Sequence, residues 1–411
     1  MLSSYRAVIR NYPFRTLWLG QIISQIALNM LSFVLAIQVY QRTYSNTAVS
    51  LMMLTFGIPA IVFGILAGGI VDRFDKRKIL MFCNFSRFLI LLAYFIFYDN
   101  LLMLYVLSVA ISIVTQLFIP AEGPSIPQLL SREYLLPANS LFTVSFYLTT
   151  ILGSIAAGPS LGLLGSQPIY LILSAFMLLA YLFTSRLPQL AAEKQLSAPF
   201  NLISLARPIL EGLIFIYRHK RIKQSLYLLT FSQALIATLA VLAPGFAHKI
   251  LMTDITASSL LVLGPSALGL VSGAMLVGVC GRRFLRGSLI LTGIVATGVS
   301  LILLSLFSSG ANGVVLYFIL FLLFIIGISN SLINVPSSTI LQEETETRVR
   351  GRIYGVLTSL TGGFSILPVL FSGLLADIVG IANTLITIGI FVLGIGIFYV
   401  IQRHKIIALN G

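Results

Sequence analysis

Between residues 68 and 78 the chain reads Gly68-Gly69-Ile70-Val71-Asp72-Arg73-Phe74-Asp75-Lys76-Arg77-Lys78, two carboxylates and four cations in the gap between two apolar runs. A carboxylate at one helix end can meet the N-terminus of a neighbouring helix, where unpaired N–H groups carry partial positive charge, and nearby cations. A cluster of this kind can hold helices in one arrangement and release them in another. Read without that role, it is a basic loop that sets membrane topology. The two readings are compatible.

A second place for chemistry lies inside an apolar run. Arg87 is about 13 Å from the nearer end of its run by helix rise, and a charge at such depth marks a functional site by default. Glu122, near the end of the next run in Pro120-Ala121-Glu122-Gly123-Pro124, falls at a similar depth. The expectation is an Arg87–Glu122 ion pair that makes and breaks. The alternatives are a fixed structural pair, or an arginine that snorkels to the surface. Asp99, Asp254 and Asp377 fall in loops or at run ends, so Glu122 and Asp72 are the carboxylates available to carry a proton.

Uncharged polar residues recur on four runs. Gln21, Gln25 and Asn29 are spaced by four and share one helical face. Ser108, Ser112 and Thr115 follow on a second run, Thr230 and Gln233 on a third, and Asn330, Asn334 and Ser337 on a fourth. Polar groups in hydrocarbon are costly unless paired or wetted. Each stripe therefore faces a wet cavity or hydrogen-bonds a neighbouring helix.

Several functions are excluded. His219, His248 and His404 are far apart, no P-loop pattern is present, and no catalytic set, metal site or cofactor is expected. Cys83 and Cys280 fall in or beside apolar runs and make no disulfide framework. The net charge of +14 would point a soluble protein toward nucleic acid. Here the basic residues sit in short loops between apolar runs, so no nucleic-acid partner is expected.

The elements that position these residues are bilayer-length helices. Spanning roughly 30 Å of hydrocarbon takes about 20 apolar residues. Twelve such spans can be drawn: 16–40, 47–71, 79–98, 101–121, 138–165, 168–186, 224–247, 257–280, 288–309, 313–336, 352–377 and 381–402. Charged residues are 9% of the chain, against about 25% in soluble domains, and mean hydropathy is +1.01. The expected class is an all-α membrane protein. With twelve spans, 23 of the 26 Lys and Arg residues fall in loops on one side. By the positive-inside rule that side, with both termini, is cytoplasmic, and the first span is read as uncleaved. The polar stretch 187–223 separates two halves, 1–186 and 224–411, as a cytoplasmic linker. The halves echo one another: Gly153 and Pro159 recur as Gly362 and Pro368, both 209 residues on, and the stretch from Gly69 to Phe74 has a counterpart from Gly278 to Phe284 that starts at the same offset. A duplicated six-span unit places a substrate site between its copies.

The loop at Gly68, Asp72, Arg73, Lys76 and Arg77 resembles the G-x-x-x-D-R-x-x-[KR]-[KR] signature of the major facilitator superfamily, with Asp75 where that family often has Gly. Ser154 to Leu163, with Gly158, Pro159 and Gly162, resembles the family's G-x-x-x-G-P-x-x-G-G exporter motif. Phe14 to Gln21, Arg87 and Pro120-Ala121 add a resemblance to the macrolide-efflux and enterobactin-export branch. The resemblance implies twelve helices in two six-helix bundles that alternate access, with the four polar stripes lining the cavity. It implies export of a neutral or amphipathic small molecule, with protons as the candidate counter-ion, by a monomer in the plasma (inner) membrane. A lipid or lysophospholipid flippase and a non-transporting receptor or scaffold are the alternatives.

Overall fold

The structure, a computed structural model, describes residues 2–71, 74–190, 216–217, 219–280, 284–307, 313–344 and 366–401. Among these residues there are helices and no strands. Ten helices are long and apolar enough to cross a membrane, and Pro168–Thr184 and Ile366–Ile378 are shorter apolar helices. Together they match the twelve expected spans. Asp72, Arg73, most of the 187–223 linker and residues 352–365 of the eleventh span lie outside the described residues.

The helices are α1 (Leu2–Arg10), α2 (Tyr12–Thr43), α3 (Asn46–Val71), α4 (Lys76–Ile96), α5 (Leu101–Glu122), α6 (Leu135–Leu164), α7 (Pro168–Thr184), α8 (Lys220–Lys249), α9 (Gly264–Cys280), α10 (Arg286–Leu306), α11 (Val314–Glu344), α12 (Ile366–Ile378) and α13 (Ile381–Ile401). Some run past the apolar pattern. The tenth span was expected to end at residue 336, yet α11 continues through Gln342 to Glu344. Polar side chains do not stop a helix whose last turn stands in water, so hydropathy underestimates its length.

Local chemistry sets several ends. Asn100 caps α5 through a 3.1 Å bond from the Met103 N–H, the usual use of a short polar side chain before a helix. Gly165, at φ +85°, ends α6 and donates its N–H to the Leu161 carbonyl at 2.9 Å. Pro168 then opens α7, where its missing N–H costs nothing. Prolines also stand inside α3 (Pro59), α5 (Pro120), α6 (Pro159), α8 (Pro244) and α11 (Pro336).

The chain packs into two compact units, Met1–Gln38 with Met52–Leu205, and Val39–Leu51 with Ala206–Gly411. In unit 1, Tyr94 of α4 stacks on Tyr170 of α7 with ring centroids 5.1 Å apart. Their hydroxyls are both satisfied: Tyr94 pairs with Ser108 Oγ of α5 at 2.6 Å, and Tyr170 donates to Gln38 Oε1 of α2 at 2.5 Å. Trp18 Nε1 donates to Ser145 Oγ of α6 at 2.8 Å. These bonds knit α2, α4, α5, α6 and α7 in hydrocarbon, where association depends on packing and interhelical hydrogen bonds. In unit 2, Ser331 Oγ of α11 donates to the Leu270 carbonyl of α9 at 2.6 Å.

Tyr170→Phe keeps the stacked ring and leaves Gln38 Oε1 buried without its donor. The expected cost is about 1 kcal/mol, read as a lower unfolding temperature in detergent, whereas Tyr147→Phe, exposed on α6, leaves that temperature unchanged.

Candidate transport site

The basic loop after α3 is built into unit 1 by Asp75. Its Oδ1 accepts the Arg77 N–H at 2.8 Å, capping α4, and the Leu190 N–H at 3.3 Å. The Lys76 N–H returns a bond to the Leu190 carbonyl at 3.3 Å, and Arg77 Nη2 donates to the Ser185 carbonyl at 2.6 Å. Leu187 and Leu190 are buried beside Phe14, Leu80 and Ile126. The segment after α7 is thus stapled to this loop. Gly68 lies in the last turn of α3; Asp72 and Arg73, the acid and base at the centre of the motif, lie outside the described residues. Sequence reading treated Asp75 as a departure from a family pattern and missed its role. The available signal was an Asp directly before a helix, a preferred N-cap.

Arg87 sits in the interior of unit 1, and Glu122 is half-buried with its Oε1 enclosed. Arg87 is 1% exposed. Its guanidinium lies over the Phe118 ring of α5, 4.4 Å from the centroid, and Nη1 donates to Asn84 Oδ1 at 3.4 Å. Each of Arg87 and Glu122 feels the other's charge, yet they make no hydrogen bond. Arg87 Nε, Arg87 Nη2, Asn84 Nδ2 and Glu122 Oε1 are all buried with no hydrogen-bond partner. The structure brings the two charges into range and leaves a gap where the direct ion pair was expected. Phe118, which sequence reading did not single out, supports the cation. Cys83, one turn before Arg87, is buried with Sγ 3.5 Å from the Val114 carbonyl.

The polar stripes divide. Asn29 Nδ2 bonds the Gln25 carbonyl of its own helix at 2.8 Å, and Ser112 Oγ ties α5 to the Phe56 carbonyl of α3 at 2.9 Å. In unit 2 Asn330 and Asn334 both reach Ser232 on α8, the first its carbonyl at 3.2 Å and the second its Oγ at 3.4 Å. Those four bonds are of the kind that join or stiffen helices. Gln21 is buried with Oε1 unsatisfied, and Gln233 is exposed.

In the exporter-like stretch of α6, Gly158 is buried while Pro159 and Gly162 are exposed. Just before that stretch stands Gly153, where a Cβ would lie 2.8 Å from the Ile26 carbonyl oxygen and 2.9 Å from Asn29 Cβ. A small residue there lets α6 lie directly on α2. At the basic end of unit 2, Glu344 of α11 binds Arg221 of α8 at 2.8 Å, and Glu343 binds Arg286 of α10 through an Nη2–Oε1 bond of 2.9 Å. Both pairs are partly exposed, so each is worth about 1 kcal/mol or less.

The cation–π contact makes a measurable demand. Phe118→Leu removes the face beneath a desolvated guanidinium and is expected to cost about 2 kcal/mol or more, while Phe118→Tyr keeps the ring and most of the stability. Thermal unfolding of the two purified variants decides; equal losses would show that the ring contributes volume alone.

The comparisons with known proteins agree with this architecture. Residues 17–369 match the family model described as Major Facilitator Superfamily. The uncharacterised MFS-type transporter YfiS of Bacillus subtilis (strain 168) is 26% identical, with 94% of this chain and 92% of that protein covered. The enterobactin exporter EntS of Escherichia coli O1:K1 / APEC is 24% identical over 97% and 94%, and macrolide efflux protein A of Streptococcus pyogenes is 23% identical over 93% and 94%. A variant of the nucleoside transporter NupG has a solved structure with a TM-score of 0.74 at 14% identity, covering 97% of this chain and 100% of that one. Bilayer-length helices, a charged loop after α3, efflux-type relatives and a shared fold converge: the chain belongs to the major facilitator superfamily, as an integral membrane transporter of small molecules.

Proposed function

We propose that this transporter exports a neutral or amphipathic small molecule, drug-like or siderophore-like, by alternating access, in exchange for protons. The carrying observation is the unbridged pair Arg87 and Glu122. Among the described residues, Glu122 holds the one carboxylate oxygen that is buried with no hydrogen-bond partner. Such a group inside a transporter is suited to taking up and releasing a proton, and Arg87 beside it answers the change in charge. Among the described residues the buried charged side chains are Lys76 and Arg87, with Glu122 half-buried, which suits a cargo without strong ionic character. Export is supported by the two relatives named for export and efflux. In this reading residues 1–186 and 224–411 are the two six-helix halves, 187–223 links them, both termini are cytoplasmic, and the protein works as a monomer in the plasma membrane. Gln21, with its unsatisfied carbonyl, is the stripe residue assigned to cargo; Asp72 and Arg73 are assigned to gating by the family motif they match.

Proteoliposomes loaded with a pH-sensitive dye test it. Adding a macrolide or a catecholate siderophore is expected to move protons in wild type, while Glu122→Gln lowers that proton movement at least about tenfold and still binds the cargo. Movement of labelled lysolipid with no response to either compound would replace the reading with a flippase. Proton movement unchanged in Glu122→Gln would remove Glu122 from the coupling step.

A further inference from the structure

Asp377, next to last in α12, binds the start of another helix. Its Oδ1 accepts the Asn46 N–H at 2.8 Å and Asn46 Nδ2 at 3.0 Å. Its Oδ2 accepts the Ser45 hydroxyl at 2.6 Å and the Thr47 N–H at 2.9 Å. Ser45 Oγ in turn accepts the Ala48 N–H at 3.2 Å. Three N–H groups at the start of α3 are therefore capped, two by a carboxylate 330 residues away in sequence or further. These are the donors a helix leaves unsatisfied, and the end of a helix where negative charge is favoured.

The contact extends along α12. Ser50 Oγ donates to the Val369 carbonyl at 2.9 Å. Between these points stands Gly373, where a Cβ would overlap Ser50 Oγ and the Asn46 carbonyl oxygen; the two helices touch through backbone there. The junction before α3 is strained. Tyr44 holds φ +50°, a conformation bulky residues rarely adopt, and its ring lies 5.4 Å from His248 of α8.

All of these residues belong to unit 2. The flanking stretches, Met1–Gln38 and Met52–Leu205, belong to unit 1. A segment of one sequence half is thus held by the other unit, and Asp377 makes four of the bonds that hold it. Asp377 and Tyr44 are exposed, and Ser45 and Thr47 are half-buried, at the end of α3 opposite the basic loop, so water can replace the two bonds to Asp377 Oδ2 as they break; Asn46 and Ser50 are buried.

We propose that Asp377 is a positioning residue for transport: its carboxylate keeps residues 39–51 docked on unit 2, and the cycle proceeds when it lets them go. The inference rests on the chain being a transporter and is independent of the cargo.

Hydrogen–deuterium exchange on the purified full-length protein in lipid nanodiscs, with no cargo added, tests it. In Asp377→Ala the amides of residues 46–50 are expected to exchange at least about tenfold faster, with α10 and α11 unchanged. Asp377→Asn, which keeps the size and one acceptor, is expected to show a smaller rise at the same amides, and secures the reading if the alanine variant fails to fold. Asp254→Asn, a change in an exposed turn, should alter nothing in 46–50. Exchange within about twofold of wild type in both Asp377 variants overturns the proposal. So does acceleration spread evenly over every helix, which would make Asp377 a general stabiliser. Because no proton or cargo movement is read, the result stands apart from the export test.

Discussion

Hydrocarbon has no hydrogen bonds to offer, so each polar atom carried into the bilayer must be satisfied by the protein itself. The structure can be read as the working out of that constraint. Most hydroxyls in the spans comply locally by bonding the carbonyl a turn earlier, as Thr115, Thr297, Ser329 and Ser337 do. Others comply across helices and become the joints of the fold, as with Ser112 on Phe56, Ser331 on Leu270 and the two asparagines on Ser232. The atoms that do not comply are few. Gln21, Asn84, Arg87 and Glu122 in unit 1 account for five of them, and two of these side chains, Asn84 and Glu122, neighbour the Arg87 guanidinium. Where packing has solved the problem almost everywhere, an unsolved remainder around a buried charge is the natural place for chemistry.

The charged contacts form a graded series. Glu343 with Arg286 and Glu344 with Arg221 stand partly in water and tie helix ends weakly. Asp377 stands at an exposed end but engages oriented backbone donors, so its contact is more directional. Arg87 is buried and Glu122 has one oxygen enclosed, where unpaired charge is costly, and aromatic support from Phe118 offsets part of the cost to Arg87. In the proposed cycle one chain uses the same interaction for fastening, for release and for coupling, with depth selecting among them.

The spans were legible because bilayer thickness imposes a length and a composition that local sequence cannot hide. The shared face of Asn330 and Asn334 was legible from their spacing, and the common depth of Arg87 and Glu122 from helix rise. What they touch was not. Ser232, Phe118 and Val369 are ordinary residues in apolar runs, made partners by tertiary packing alone. Asp377 read as a carboxylate at the outer end of a span because its partners lie more than 300 residues away. The gap between Arg87 and Glu122 was invisible for the same reason: matching depth fixes height along the helices and leaves their separation open. Polar final turns, such as that of α11, escape any rule that follows hydropathy.

The five interior prolines carry a further consequence. Each ring removes one N–H, so the carbonyl four residues earlier is deprived of its ordinary intrahelical donor. Inside hydrocarbon such an oxygen is a lone-pair site already paid for by the backbone, open to a donor from elsewhere. Along α3, α5, α8 and α11 the chain therefore bears main-chain acceptors that need no polar side chain. A path can be wetted or a guest greeted by them while the side-chain inventory of those helices stays as oily as its hydropathy declares.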